Sequence, residues 1–98
     1  MSLPMEFRDE VPAEINEAMA WYEGQEAGMG REFFEALREH LKELAERPEI
    51  FAVEYRRIRR APMRRFPYVV YYRLELDRVI VVAIQHAHRN PRDWRRRA

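Results

Sequence analysis

The 98-residue chain has no cysteine, one lysine (Lys42) and three glycines. The missing cysteines exclude disulfides, thiolate metal sites and thiol nucleophiles, and fit a reducing, cytoplasmic setting. No run of about 18 apolar residues occurs, so no membrane-spanning helix and no membrane partner are expected. A secretory leader is not expected either. Gly24, Gly28 and Gly30 fall within seven residues and mark a break between helices. A phosphate-cradling loop is a poor reading of them, because Glu23 and Glu26 flank the glycines and no Lys-Ser/Thr follows.

Acidic and basic residues are unevenly shared. Residues 1–50 carry 5 Lys/Arg against 13 Asp/Glu, and residues 51–98 carry 13 Arg against 4 Asp/Glu. Charges of −8 and +9 therefore hide inside a formal net charge of +1. Six arginines stand between Arg56 and Arg65, and three more at Arg95–Arg97. Aromatics are interleaved with them: Tyr55, Phe66, Tyr68, Tyr71, Tyr72 and Trp94. Arginine gives planar, bidentate contacts to phosphate or carboxylate and stacks on aromatic rings. A GC-rich genome also replaces lysine by arginine, but codon bias does not explain an asymmetry between halves. The pattern points to a polyanion or an acidic partner.

The length suits one domain burying roughly two-thirds of its unfolded surface. Met5–Arg8 reads as a short first strand. Pro12, preceded by Asp9 and Glu10, opens a helix whose stripe is Val11, Ile15, Ala18, Met19 and Tyr22. A second helix runs from Met29 to Arg47, with Phe33, Leu37, Leu41 and Leu44 inward, and Pro48 ends it. Its glutamates, with His40 among them, read as a surface face. Strands follow over Val53–Arg60, Phe66–Leu76 and Val79–Ile84, the last two joined by a tight turn around Asp77. The expected class is α+β, a helical hairpin on one face of a small, mainly antiparallel sheet. The domain is expected to span residues 5–98, with residues 1–4 vector-derived or disordered.

Arg59-Arg60, then Phe66-Pro67-Tyr68 with Val70 and Tyr72, form one distinctive stretch. His86, Arg89, Pro91 and Trp94 at fixed spacing form another. With Trp21-Tyr22, Gly28-Met29-Gly30, Phe33 and Pro48, these segments resemble the RelE/ParE toxin superfamily, also known as plasmid-stabilisation proteins. The resemblance implies a β-α-α-β-β-β fold, growth inhibition, and an acidic antitoxin partner. RelE-like members of that superfamily cleave mRNA on the ribosome. ParE-like members poison DNA gyrase and have no catalytic site.

Metal-free RNA cleavage needs a base for the 2′-hydroxyl, cations for the phosphorane and an acid for the leaving oxygen. His86 and His88 stand two apart at the end of the last strand, facing one side if the strand continues. Histidine exchanges protons near neutral pH. The expected catalytic set is His86, His88, Arg65 and Arg89. Arg59, Arg60, Tyr68 and Trp94 are expected to hold the RNA, the last by base stacking. His86 could equally anchor the tail, and Trp94 could cap the core. The His-x-His pair lacks a third ligand at suitable spacing, so no metal or other cofactor is expected. RelE-like nucleases commonly carry a tyrosine or histidine near the C-terminus, where this chain has Trp94, which cannot exchange protons. The leading expectation is a metal-independent endoribonuclease toxin acting on mRNA at the ribosome. The alternatives are a gyrase-poisoning toxin and an inactive family member.

Overall fold

The computed structural model describes residues 2–98. Its elements are β1 (Met5–Phe7), α1 (Val11–Gln25), α2 (Met29–Glu46), β2 (Val53–Tyr55), β3 (Ile58–Pro62), β4 (Tyr68–Leu74), β5 (Val79–His86) and a single-turn α3 (Arg92–Arg95). The sheet order is β1-β5-β4-β3-β2. β1 runs parallel to β5, and the other neighbours are antiparallel.

Alternation along β4 explains its composition. Val70 and Tyr72 point into a core shared with Phe33, Leu37 and Leu44 of α2 and with Val11, Ala18 and Tyr22 of α1. Val69 and Tyr71 point the other way, into a second cluster with Ile58, Ile80, Val82, Ala83 and Trp94. Both faces are covered, so β5 reads as a continuous apolar run rather than an alternating one. A bulge sets Val82 and Ala83 together opposite Tyr71, and both join the second cluster.

Two expectations need correction, the single strand over Val53–Arg60 and the surface position of His40. Val53–Arg60 is not one strand but a hairpin, β2–β3, turning at Arg56 and Arg57. Arg56 has φ 54°, a left-handed backbone that favours glycine or asparagine, so the turn carries no ordinary sequence signal. The hairpin of α1 and α2 covers one face of the sheet as expected, and the single-turn α3 adds Trp94 to the second cluster on the other face. His40 is buried rather than on the surface, and its Nε2 lies 2.9 Å from the Ala61 carbonyl oxygen. It takes the position in the buried stripe of α2 that Leu41 borders. Ahead of β1, the Leu3 N–H donates to Ala45 O, and Pro4 O accepts from the Val79 N–H. Met1, included in the expectation for residues 1–4, lies outside the described residues.

The helical hairpin is closed by its glycines. Gly28 adopts φ 90° as the N-cap of α2. The Glu23 carboxylate accepts the backbone N–H groups of Gly28 and Gly30 at 3.0–3.1 Å, filling the place an external anion would need. A Cβ on Gly30 would stand 2.7 Å from the Met19 carbonyl oxygen. Gly30→Ala is therefore expected to push α1 and α2 apart and lose about 1–3 kcal/mol, the usual range for overpacking. Urea unfolding checks this, and an unchanged midpoint would refute the close approach.

Candidate functional site

Folding cancels much of the charge split. Arg65 pairs with Glu32 at 2.6 Å, Arg64 with Glu43 at 3.2 Å, Arg78 with Glu6 at 3.4 Å, and Arg97 with Glu14 at 2.9 Å. Each couples an arginine of the second half to a glutamate of the first. Arg57 is bound to Glu75. The exposed pairs add little stability, yet they remove free positive charge from this side of the molecule. The acidic face of α2 is thus part of the electrostatic frame for Arg64 and Arg65.

A cleft of about 220 Å³ opens between α1 and the end of β5. Glu14, Glu17 and Trp21 line it from α1, and Tyr68, Gln85, His86 and Arg89 from the sheet and the turn after it. Tyr68 and His86 are cross-strand partners with ring centroids 5.4 Å apart. The His88 ring lies 5.5 Å from that of His86, outside the cleft lining. The His88 backbone N–H donates to His86 Nδ1 at 3.1 Å, so the neutral ring carries its proton on Nε2. Burial, the largest influence, pushes the Tyr68 phenol up, so at neutral pH it stays protonated and does not act as a base. Arg89 donates to Asp93 at 2.8 Å, and this bond holds the Asp93 carboxyl below its ordinary 3.8. The bond's contribution is therefore present above about that value and fades as pH falls further.

Four expected site residues are elsewhere. Arg65 is held against α2 by Glu32 and does not line the cleft. Arg59 donates to the carbonyl oxygens of Glu49 (3.3 Å) and Phe51 (2.8 Å), fastening the loop after α2. Trp94 is 2% exposed and stacked on Tyr71 at 4.3 Å and 16°, so its ring is closed to a base. Arg60 pairs in register with Tyr71, which puts it on the α3 face, away from α1 and α2. Only Tyr68, His86 and Arg89 share the cleft, with His88 close by.

Sequence reading passes over the polar group beneath this cleft. β1 pairs with β5 only as far as Val81, leaving the rest of that edge without a strand partner. Glu14 covers it, accepting the Ile84 N–H at 3.0 Å and the Gln85 Nε2–H at 2.8 Å. Arg97 donates to Glu14 and, at 2.9 Å, to the Val82 carbonyl oxygen. The available signal is Gln85, a lone amide inside an apolar strand, which needs a buried partner.

The family model described as "ParE toxin of type II toxin-antitoxin system, parDE" matches residues 5–91. The chain belongs to the ParE toxin family. Among solved structures, a chain titled "Chromosomal ParDE TA system from P. aeruginosa" superposes with a TM-score of 0.77 at 13% identity. The match covers 87% of this chain and 96% of that one, a likeness of fold. A search of curated proteins finds no match. Membership in a two-component toxin–antitoxin family implies an antitoxin partner for this ParE-family chain. The family match ends at Pro91, just before α3.

Proposed function

We propose that this ParE-family chain is a non-enzymatic toxin that arrests growth by engaging DNA gyrase and is restrained by its antitoxin. One observation carries the reading: the groups needed to cut RNA are not gathered in one place. Arg65 is held at Glu32, and Trp94 is buried. The cleft holding Tyr68, His86 and Arg89 also presents the carboxylate of Glu17 to any phosphate entering it, while Glu14 is already balanced by Arg97. A carboxylate beside an incoming phosphorane opposes the charge that such a site must stabilise. An exposed apolar face suits a protein target better. Trp21 is 57% exposed at the cleft mouth, with Phe34 of α2 also exposed.

The expectation of mRNA cleavage keeps one supporting feature, the shared cleft of Tyr68, His86 and Arg89. The histidines separate the readings. His86→Gln and His88→Gln are expected to fold normally and retain full growth arrest. A catalytic histidine would instead lose about 10²–10⁴ in rate, with mRNA cleavage disappearing in parallel. Viable-cell counts with primer-extension mapping of transcripts provide the readout. Transcripts cut by the wild type and spared by either variant would overturn the proposal.

A further inference from the structure

Eight basic side chains make no ion pair within 4.0 Å among the described residues: Arg8, Lys42, Arg47, Arg56, Arg59, Arg60, Arg92 and Arg95. Four of them, Arg56, Arg60, Arg92 and Arg95, share the face opposite α1 and α2. Arg60 lies beside Tyr71, which stacks under Trp94. An open cleft of about 570 Å³ is lined by Tyr55, Arg56, Asn90, Arg92, Arg95 and Arg96, among others. The guanidinium carbons of Arg95 and Arg56 lie 4.8 Å and 5.3 Å from the centre of the Tyr55 ring. Aromatic stacking holds both charges in place while leaving their N–H edges free. Asp93 is the nearby acid, and it is bonded to Arg89 and Arg96.

We propose that this arginine-lined face binds the sugar-phosphate backbone of a nucleic acid, on the side of the molecule away from the helical face. Protein partners depend on apolar anchors in desolvated pockets. This face offers none: Trp94 is buried and Tyr55 is flanked by guanidinium groups. The exposed Trp21 and Phe34 belong to the helical hairpin instead. A backbone of phosphates needs cations in an open, wettable groove, and affinity then comes mainly from counterion release. The turn at Arg56 adds an independent reason. A left-handed φ costs a non-glycine residue stability that glycine would not lose, and such strain marks positions kept for their side chain. The inference does not rest on gyrase as target.

Fluorescence anisotropy with a labelled duplex DNA and a labelled single-stranded RNA tests it across a salt series. Four phosphate contacts predict a slope of log affinity against log salt of about −3 to −4 on duplex DNA, somewhat shallower on single strands. Arg56→Gly is expected to reduce the slope by about 1 without lowering the melting temperature, since it removes charge and relieves the turn. Arg56→Glu with Arg92→Glu is expected to reduce it by about 2. The control Arg31→Glu with Arg38→Glu, exposed on α2, is expected to leave it unchanged. Loss with DNA, RNA or both that follows the Arg56 and Arg92 changes supports the proposal, and the better ligand identifies the source of the phosphates. Wild-type slopes in the Arg56 and Arg92 variants, equal loss in the control, or binding of a polyglutamate peptide but neither nucleic acid would overturn it.

Discussion

Arg97→Ala is expected to destabilise the protein by about 3–5 kcal/mol, the usual loss when one member of a buried ion pair is removed. The side chains of Arg97 and Glu14 are only 17% and 10% exposed. Their pairing sits on an edge of β5 that β1 does not reach, where Glu14 already holds the Ile84 N–H and Gln85. Without Arg97, a carboxylate stays buried beside a strand edge and the Val82 carbonyl loses its donor. The same change frees the C-terminal turn from α1. Equilibrium urea unfolding measures the loss, and Glu14→Ala should cost a similar amount, with the double variant well short of the sum. A loss below about 1 kcal/mol for Arg97→Ala, the value of an exposed pair, would show that the network carries no weight.

Trp21→Ala is expected to weaken the antitoxin complex by roughly 30-fold or more, the 2 kcal/mol that marks an interface hot spot. Trp21 stands edge-on to the buried Tyr22 at 5.0 Å, so its ring is held by the core while its outer face meets solvent. Anchors of this kind act mainly on dissociation. Phe51, half-buried in the loop after α2, packs on His40 at 5.7 Å and offers less. The arginines between Arg56 and Arg65 are a poorer landing strip for antitoxin carboxylates than their density suggests. Arg57, Arg64 and Arg65 are already paired, so Arg57→Ala should change association little at low salt. Surface plasmon resonance on the toxin–antitoxin complex gives both rates. Dissociation of Trp21→Ala at the wild-type rate would remove the helical face from the interface.

The elements legible in the sequence are those whose partners are implied by their own period. The stripe of α2 and the β-branched run of β4 each announce a buried face, and Tyr68, His86 and Arg89 converge because adjacent strands bring them together. What escaped notice depends on distant residues. Glu14 and Arg97 lie 83 positions apart, and neither differs locally from a solvated charge. Arg59 looks like a phosphate ligand until the loop carbonyls of Glu49 and Phe51 occupy it. His40 looks exposed among glutamates until β3 brings the Ala61 carbonyl to its ring. Trp94 reads as a stacking platform because nothing nearby in sequence shows that Tyr71 is its partner. The charge split was visible, but its cancellation across the helix–sheet boundary is a property of the fold.

The most direct test is to incubate the purified chain with gyrase, ATP and supercoiled plasmid, then digest the protein and resolve the DNA. The account predicts linear plasmid that increases with toxin, disappears when antitoxin is added first, and forms equally with His86→Gln and His88→Gln. Unbroken plasmid at every toxin concentration, with ribosome-bound mRNA cut by the same preparation, would contradict it.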